Sequence, residues 1–144
     1  MNKKLVVSFA ALLVIGLIGG LLVSFMDGQQ EPQRQLFAQA DFNVSEKYIQ
    51  VDRMEWPNDR MELKYIDISK EQQYALLALF EQATFEQVDG QPDKFDYSLT
   101  LGWNTRHRLY IDVDGEKVIN PESGAAYTIT SNAQEIREAL NALQ

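Results

Sequence analysis

An α+β fold is what this sequence predicts: an N-terminal transmembrane helix, then a small antiparallel sheet packed by two helices. Three observations lead there. An uncharged apolar run opens the chain, several later stretches alternate apolar and polar residues with period two, and two stretches open on a serine followed three residues later by glutamine.

The apolar run comes first. Leu5 to Met26 (LVVSFAALLVIGLIGGLLVSFM) holds 22 residues without a charge, and as a helix it extends about 33 Å, against about 30 Å of bilayer hydrocarbon. Lys3 and Lys4 precede it, while Asp27 and Glu31 follow. That asymmetry keeps the N-terminus in the cytoplasm and sends the rest outward. Residues 1–26 are therefore expected to be a single-pass anchor in the cell membrane. The rival is a removed secretory leader: Gly16, Gly19 and Gly20 shorten the apolar helix, and Ala38-Gln39-Ala40 offers a cleavage site after Ala40, giving a secreted product.

Residues 27–44 begin glutamine-rich, contain Pro32 and read as a polar tether, with a helical turn near Gln35–Ala40. Residues 45–144 then form one extracytoplasmic domain. Tyr48–Met54 and Met61–Ile68 alternate as strands about the turn Trp56-Pro57-Asn58-Asp59. In the second, Met61, Leu63 and Tyr65 share one face while Ile66 and Ile68 share the other, which predicts a bulge or a strand covered on both sides near its end. Ser69 and Gln72 make a capping box for a helix to about Gln82. Strands follow at Thr84–Val88, Phe95–Trp103, Arg106–Val113, Glu116–Ile119 and Ala126–Ile129, with Asp114-Gly115 expected as a type I′ turn. Ser131 and Gln134 suggest a second capped helix with Ile136, Leu140 and Leu143 as its stripe. The order is β-β-α-β-β-β-β-β-α, and tight turns between strands make the sheet antiparallel.

Composition narrows the chemistry. No cysteine is present, so disulfides, thiolate metal sites and cysteine nucleophiles are excluded. With Lys3 and Lys4 set aside from the 13 basic residues, 11 remain against 21 acidic ones, a net −10. Such a domain is repelled by nucleic acid. His107 is the single histidine, and alternation puts it on the face of Leu109 and Ile111, where a packed ring explains it. Asp112-Val113-Asp114-Gly115-Glu116 lacks the later ligands of a calcium loop and reads as a hairpin turn. There is neither a nucleophile elbow nor a glycine-rich phosphate loop. No catalytic residue, metal site or cofactor is assigned.

A surface remains. Arg106, Arg108 and Tyr110 fall on the face opposite Leu109 and Ile111, beside Ser98 and Thr100, and Trp56 sits in its proline turn. Arginine and aromatic residues favour interfaces, and a basic patch on an acidic domain suits an acidic partner segment. The expected function is a non-catalytic binding or accessory module contacting an envelope or membrane protein. An inhibitor or immunity-type protein blocking an envelope enzyme is the first alternative, and a small hydrolase using His107 the second.

Overall fold

The computed structural model describes residues 35–143. The anchor expected at residues 1–26 and the start of the tether lie outside them. Among the described residues no helix is long and apolar enough to cross a membrane.

The described chain is an α+β fold with one seven-stranded antiparallel sheet and two helices. The strands are β1 (Tyr48–Glu55), β2 (Glu62–Ile66), β3 (Phe85–Val88), β4 (Tyr97–Gly102), β5 (Arg106–Asp112), β6 (Lys117–Ile119) and β7 (Ala126–Ile129). The helices are α1 (Lys70–Gln82) and α2 (Ala133–Asn141). Across the sheet the order is β2-β1-β4-β5-β6-β7-β3. A hairpin (β1–β2) and a four-strand meander (β4–β7) thus lie side by side, and α1 carries the chain from the β2 edge to the β3 edge.

Register decides which residues meet the helices. Val51 stands opposite Leu99, and Leu99 opposite Leu109; the next row joins Tyr97, Ile111, Val118 and Tyr127. All are buried, and with Leu76, Leu77 and Phe80 of α1 and Ile136 and Leu140 of α2 they form the core. Tyr97 donates its hydroxyl to the Leu140 carbonyl (3.3 Å), tying the central strand to α2. Residues 35–44 join this layer too. Leu36 and Phe37 are buried in the core, and Phe42 and Val44 pack against it. Phe37 meets Trp103, Phe85 and Phe42 edge-on, with ring centroids 5.1, 5.7 and 6.0 Å away. Asn104 clamps the segment from the β4–β5 turn, donating to the Gln39 carbonyl (2.9 Å) and accepting from the Asp41 amide (2.6 Å).

The α1 capping box forms as the sequence implies: the Gln72 amide donates to Ser69 Oγ (3.2 Å) and the Ser69 amide to Gln72 Oε1 (2.9 Å). Three local expectations fail. Ser131 does not cap α2; its Oγ accepts from the Thr84 amide (2.8 Å), closing the β3 edge, and Asn132 in left-handed conformation (φ 60°) starts the helix. The β5–β6 connection is not type I′: Val113–Glu116 form the turn, and Glu116 alone takes a positive φ (53°) there. A Cβ on Gly115 would stand 2.2 Å from Asp112 Oδ2, so a side chain there displaces the carboxylate that accepts from the Gly115 amide. Finally, β2 has no bulge. Its register runs unbroken from Val51↔Ile66 to Glu55↔Glu62, and Ile68 is buried beyond the strand end.

Candidate functional site

The sheet face away from the helices carries Arg106, Arg108 and Tyr110, each placed by register. Ser98 stands opposite Tyr110, Thr100 opposite Arg108, and Gly102 opposite Arg106. β1 continues these rows with Asp52, Gln50 and Tyr48, and Tyr65 of β2 lies opposite Asp52. The face therefore holds a row Tyr65–Asp52–Ser98–Tyr110, a row Gln50–Thr100–Arg108 and a row Tyr48–Gly102–Arg106.

Its middle carries buried polar residues, while Met54, Ile119 and Ala126 are buried on the same face towards its margins. Asp52, Ser98 and Thr100 are buried, and Asp52 Oδ2 accepts from Gln50 Nε2 (3.0 Å). Tyr48, Leu63 and Tyr65 are exposed. The Tyr48 ring lies over Gly102, where an added Cβ would meet it at 2.1 Å, so a larger residue there displaces the ring.

Two of the four candidates share one corner. Tyr110 packs its ring against Phe95 at 5.6 Å, and Trp56 donates its indole N–H to the Phe95 carbonyl (3.2 Å). Phe95 is thus the pivot joining Tyr110 to Trp56. Arg108 falls one row further on. Arg106 lies four residues from Tyr110 on the same strand, about 14 Å away. Arg106 and Arg108 are exposed, and neither makes an ion pair among the described residues. The acids nearest in sequence are engaged elsewhere: Asp96 Oδ2 accepts from the Val113 amide (2.8 Å) and Asp112 Oδ1 from the Gly115 amide (2.9 Å). Asp112 therefore serves as a turn former, and among the described residues no group of three His, Asp or Glu side chains is arranged to hold a metal ion.

His107 sits on the helix-covered face, half-buried. Its Nε2 is 2.8 Å from Thr105 Oγ1, and its ring packs against Phe37 (5.7 Å) and Trp103 (5.9 Å). Burial lowers its pKa from the usual 6.5, with the Glu122 carboxylate opposing that shift. The ring hydrogen-bonds neither a serine nor a carboxylate among the described residues. Trp103 is structural in the same cluster. Its indole N–H donates to Glu81 Oε1 (2.8 Å), which also receives Lys47 Nζ (2.8 Å).

A cavity of about 400 Å³ lies between the start of β1 and α1, lined by Tyr48, Tyr74, Lys70 and Trp103 among others. Another of about 260 Å³ opens at the far end of β1 beside Arg53, Asp96 and Asp114. Neither takes His107 into its lining.

Sequence reasoning passed over Tyr65, Leu63, Asp52 and Phe95. Alternation groups Met61, Leu63 and Tyr65, but only the pairing of Leu63 with Met54 and Tyr65 with Asp52 fixes which side they take. Phe95 shares the parity of Tyr97, yet the Asp96 amide donates to the Ile111 carbonyl at the strand entrance and Phe95 ends on the Tyr110 side. Comparison with protein-family models, curated proteins and solved structures found no match to the chain.

Proposed function

We propose that the chain is a membrane-anchored, extracytoplasmic binding or accessory module that works through protein–protein contacts, with the open sheet face around Arg108, Tyr110 and Trp56 as its contact surface. The observation that carries this reading is a pair of exposed arginines without an ion-pair partner among the described residues, in a domain whose net charge outside the N-terminal lysines is −10. Arginine and aromatic side chains together favour a partner segment bearing carboxylates, since guanidinium groups bind carboxylates in fixed geometry and the rings contribute apolar area. Arg106 extends the basic strip along β5, so the partner segment is an extended one. The acidic remainder of the surface limits non-specific attachment to nucleic acid or anionic lipid.

The anchor half of the proposal rests on Leu5–Met26 and the lysines before it. The core adds support, because cleavage after Ala40 would remove Leu36 and Phe37, which are 1% and 3% exposed. Membrane fractionation and sizing of the mature chain test this half. A mature protein starting at Asp41 overturns it. The contact surface is tested by proximity labelling from the C-terminus in intact cells, comparing the native chain with Arg108→Glu and Tyr110→Ala. The reading expects one envelope protein to be labelled by the native chain and lost from both variants at equal abundance. Labelling unchanged by either substitution defeats it.

A further inference from the structure

β2 forms one edge of the sheet, and its outer N–H and C=O groups have no strand beside them among the described residues. Met61–Tyr65 are all exposed, with Met61 at 45%, Leu63 at 48% and Tyr65 at 64%. Natural sheets blunt such edges with charge, proline or a covering loop, because an open edge templates a further strand. Here the charges do something else. Glu62 and Lys64 flank Leu63 symmetrically. An antiparallel second copy centred on Leu63 sets Glu62 against Lys64 twice, Met61 against Tyr65 twice, and Leu63 against itself. Moving the centre to Lys64 opposes lysine to lysine, and moving it to Glu62 opposes glutamate to glutamate. Among two-fold axes within β2 itself, the one at Leu63 alone sets opposite charges against each other.

The intramolecular partners reinforce that choice. Glu62 stands opposite Glu55 of β1, a like-charge pair. Lys64 is bonded to Glu55, and Glu62 has no ion pair among the described residues. Lys64 of a second copy would supply the missing cation. The other edge has no such pattern. β3 has four residues, Phe85–Val88, and its charged member Glu86 has no base within the strand. A two-fold axis there opposes Glu86 either to itself or to an uncharged residue.

We propose that β2 is a self-association edge, at which two copies of this chain pair antiparallel about a two-fold axis at Leu63 and join their seven-stranded sheets into one. The interface is isologous, so every contact occurs twice. An axis perpendicular to the sheet brings both open faces to the same side, where Met61, Leu63 and Tyr65 of the two copies meet as one apolar strip. The proposal does not depend on the arginine surface, and Arg108→Glu leaves the dimer intact whatever it does to partner labelling.

Because the chain has no cysteine, single-cysteine variants of the full-length protein in detergent give a direct test. Under mild oxidation Leu63→Cys is expected to form a covalent dimer. Glu62→Cys and Lys64→Cys alone are expected to remain largely monomeric, whereas a mixture of the two cross-links to each other. Sedimentation at low salt adds a test without cysteine. Lys64→Glu or Glu62→Lys should each weaken the dimer about tenfold or more, and the exchanged pair Glu62→Lys/Lys64→Glu should restore it. All these positions are exposed, and circular dichroism checks that the fold is kept. A chain monomeric at every concentration, cross-linking without preference for Leu63, or a dimer unaffected by the single reversals overturns the proposal. Cross-linking of Leu63→Cys to other proteins alone does so equally.

Discussion

On the helix-covered face, Val51, Leu99 and Leu109 stand in one cross-strand row at 0% exposure. One residue along the same strands, Asp52, Ser98 and Tyr110 make the neighbouring row on the opposite side. The two rows differ in what a substitution removes. Inside, each side chain is surrounded by close-packed apolar atoms, so deletion leaves a cavity. On the open face short buried polar groups lie among Tyr48, Tyr65, Arg106 and Arg108, which are exposed. Fold stability is concentrated on one face, and the other is left with chemistry available for contact.

Breaking the covered face from its rim should have the largest effect. A chain starting at Asp41 lacks Leu36 and Phe37 and the aromatic contacts of Phe37 with Trp103 and Phe85. Two buried side chains of that size predict a loss of roughly 5 kcal/mol or more, measured by urea denaturation against the full-length chain in the same detergent. Leu99→Ala, at the centre of the sheet, should cost about 3 kcal/mol in the same assay. Glu81→Ala strips the acceptor shared by Trp103 and Lys47 at the layer's margin, and about 2 kcal/mol is expected. Across the sheet, Tyr65→Ser and Arg108→Ala should each change stability by less than about 0.5 kcal/mol. An open-face substitution as damaging as Leu99→Ala would erase the distinction between the faces.

The smallest effect concerns pH. Burial holds the His107 pKa below 6.5, so the folded state resists a proton that the unfolded chain accepts. The stability linked to this group is present above the unfolded pKa and is lost as pH falls below it. Denaturation midpoints at about pH 7.5 and about pH 5.5 should therefore diverge less in His107→Gln than in the native chain. Equal divergence in both would mean that His107 is as easily protonated folded as unfolded.

Much of the fold was legible because its signals are local. The Ser69–Gln72 box and the strand Ala126–Ile129 each depend on a few adjacent residues and appear where the pattern puts them, and the β4 alternation does so from Tyr97 onward. Ser131 misled because a serine three residues before a glutamine permits a capping box without ensuring one. Thr84, brought alongside by β3–β7 pairing, competed for the same hydroxyl. Residues 35–44 misled through composition. Glutamine and alanine surround Leu36 and Phe37, and two apolar residues in a polar stretch show no period. The candidate site was half legible. Arg106, Arg108 and Tyr110 share a strand, so alternation alone groups them, but their association with Trp56 passes through Phe95.

What the sequence determined by itself is the set of elements, their antiparallel character and the apolar N-terminal run, since hydrogen-bonding period and bilayer length are properties of contiguous residues. Tertiary structure decided which side of the sheet each period faced and which strands became edges. Those choices depend on register between segments far apart in the chain, where a shift of one residue exchanges the two faces. Leu63 and Tyr65 are apolar or aromatic in sequence and exposed in the fold for that reason. Their place at an open edge makes them a surface where the sequence had suggested a strand like the others.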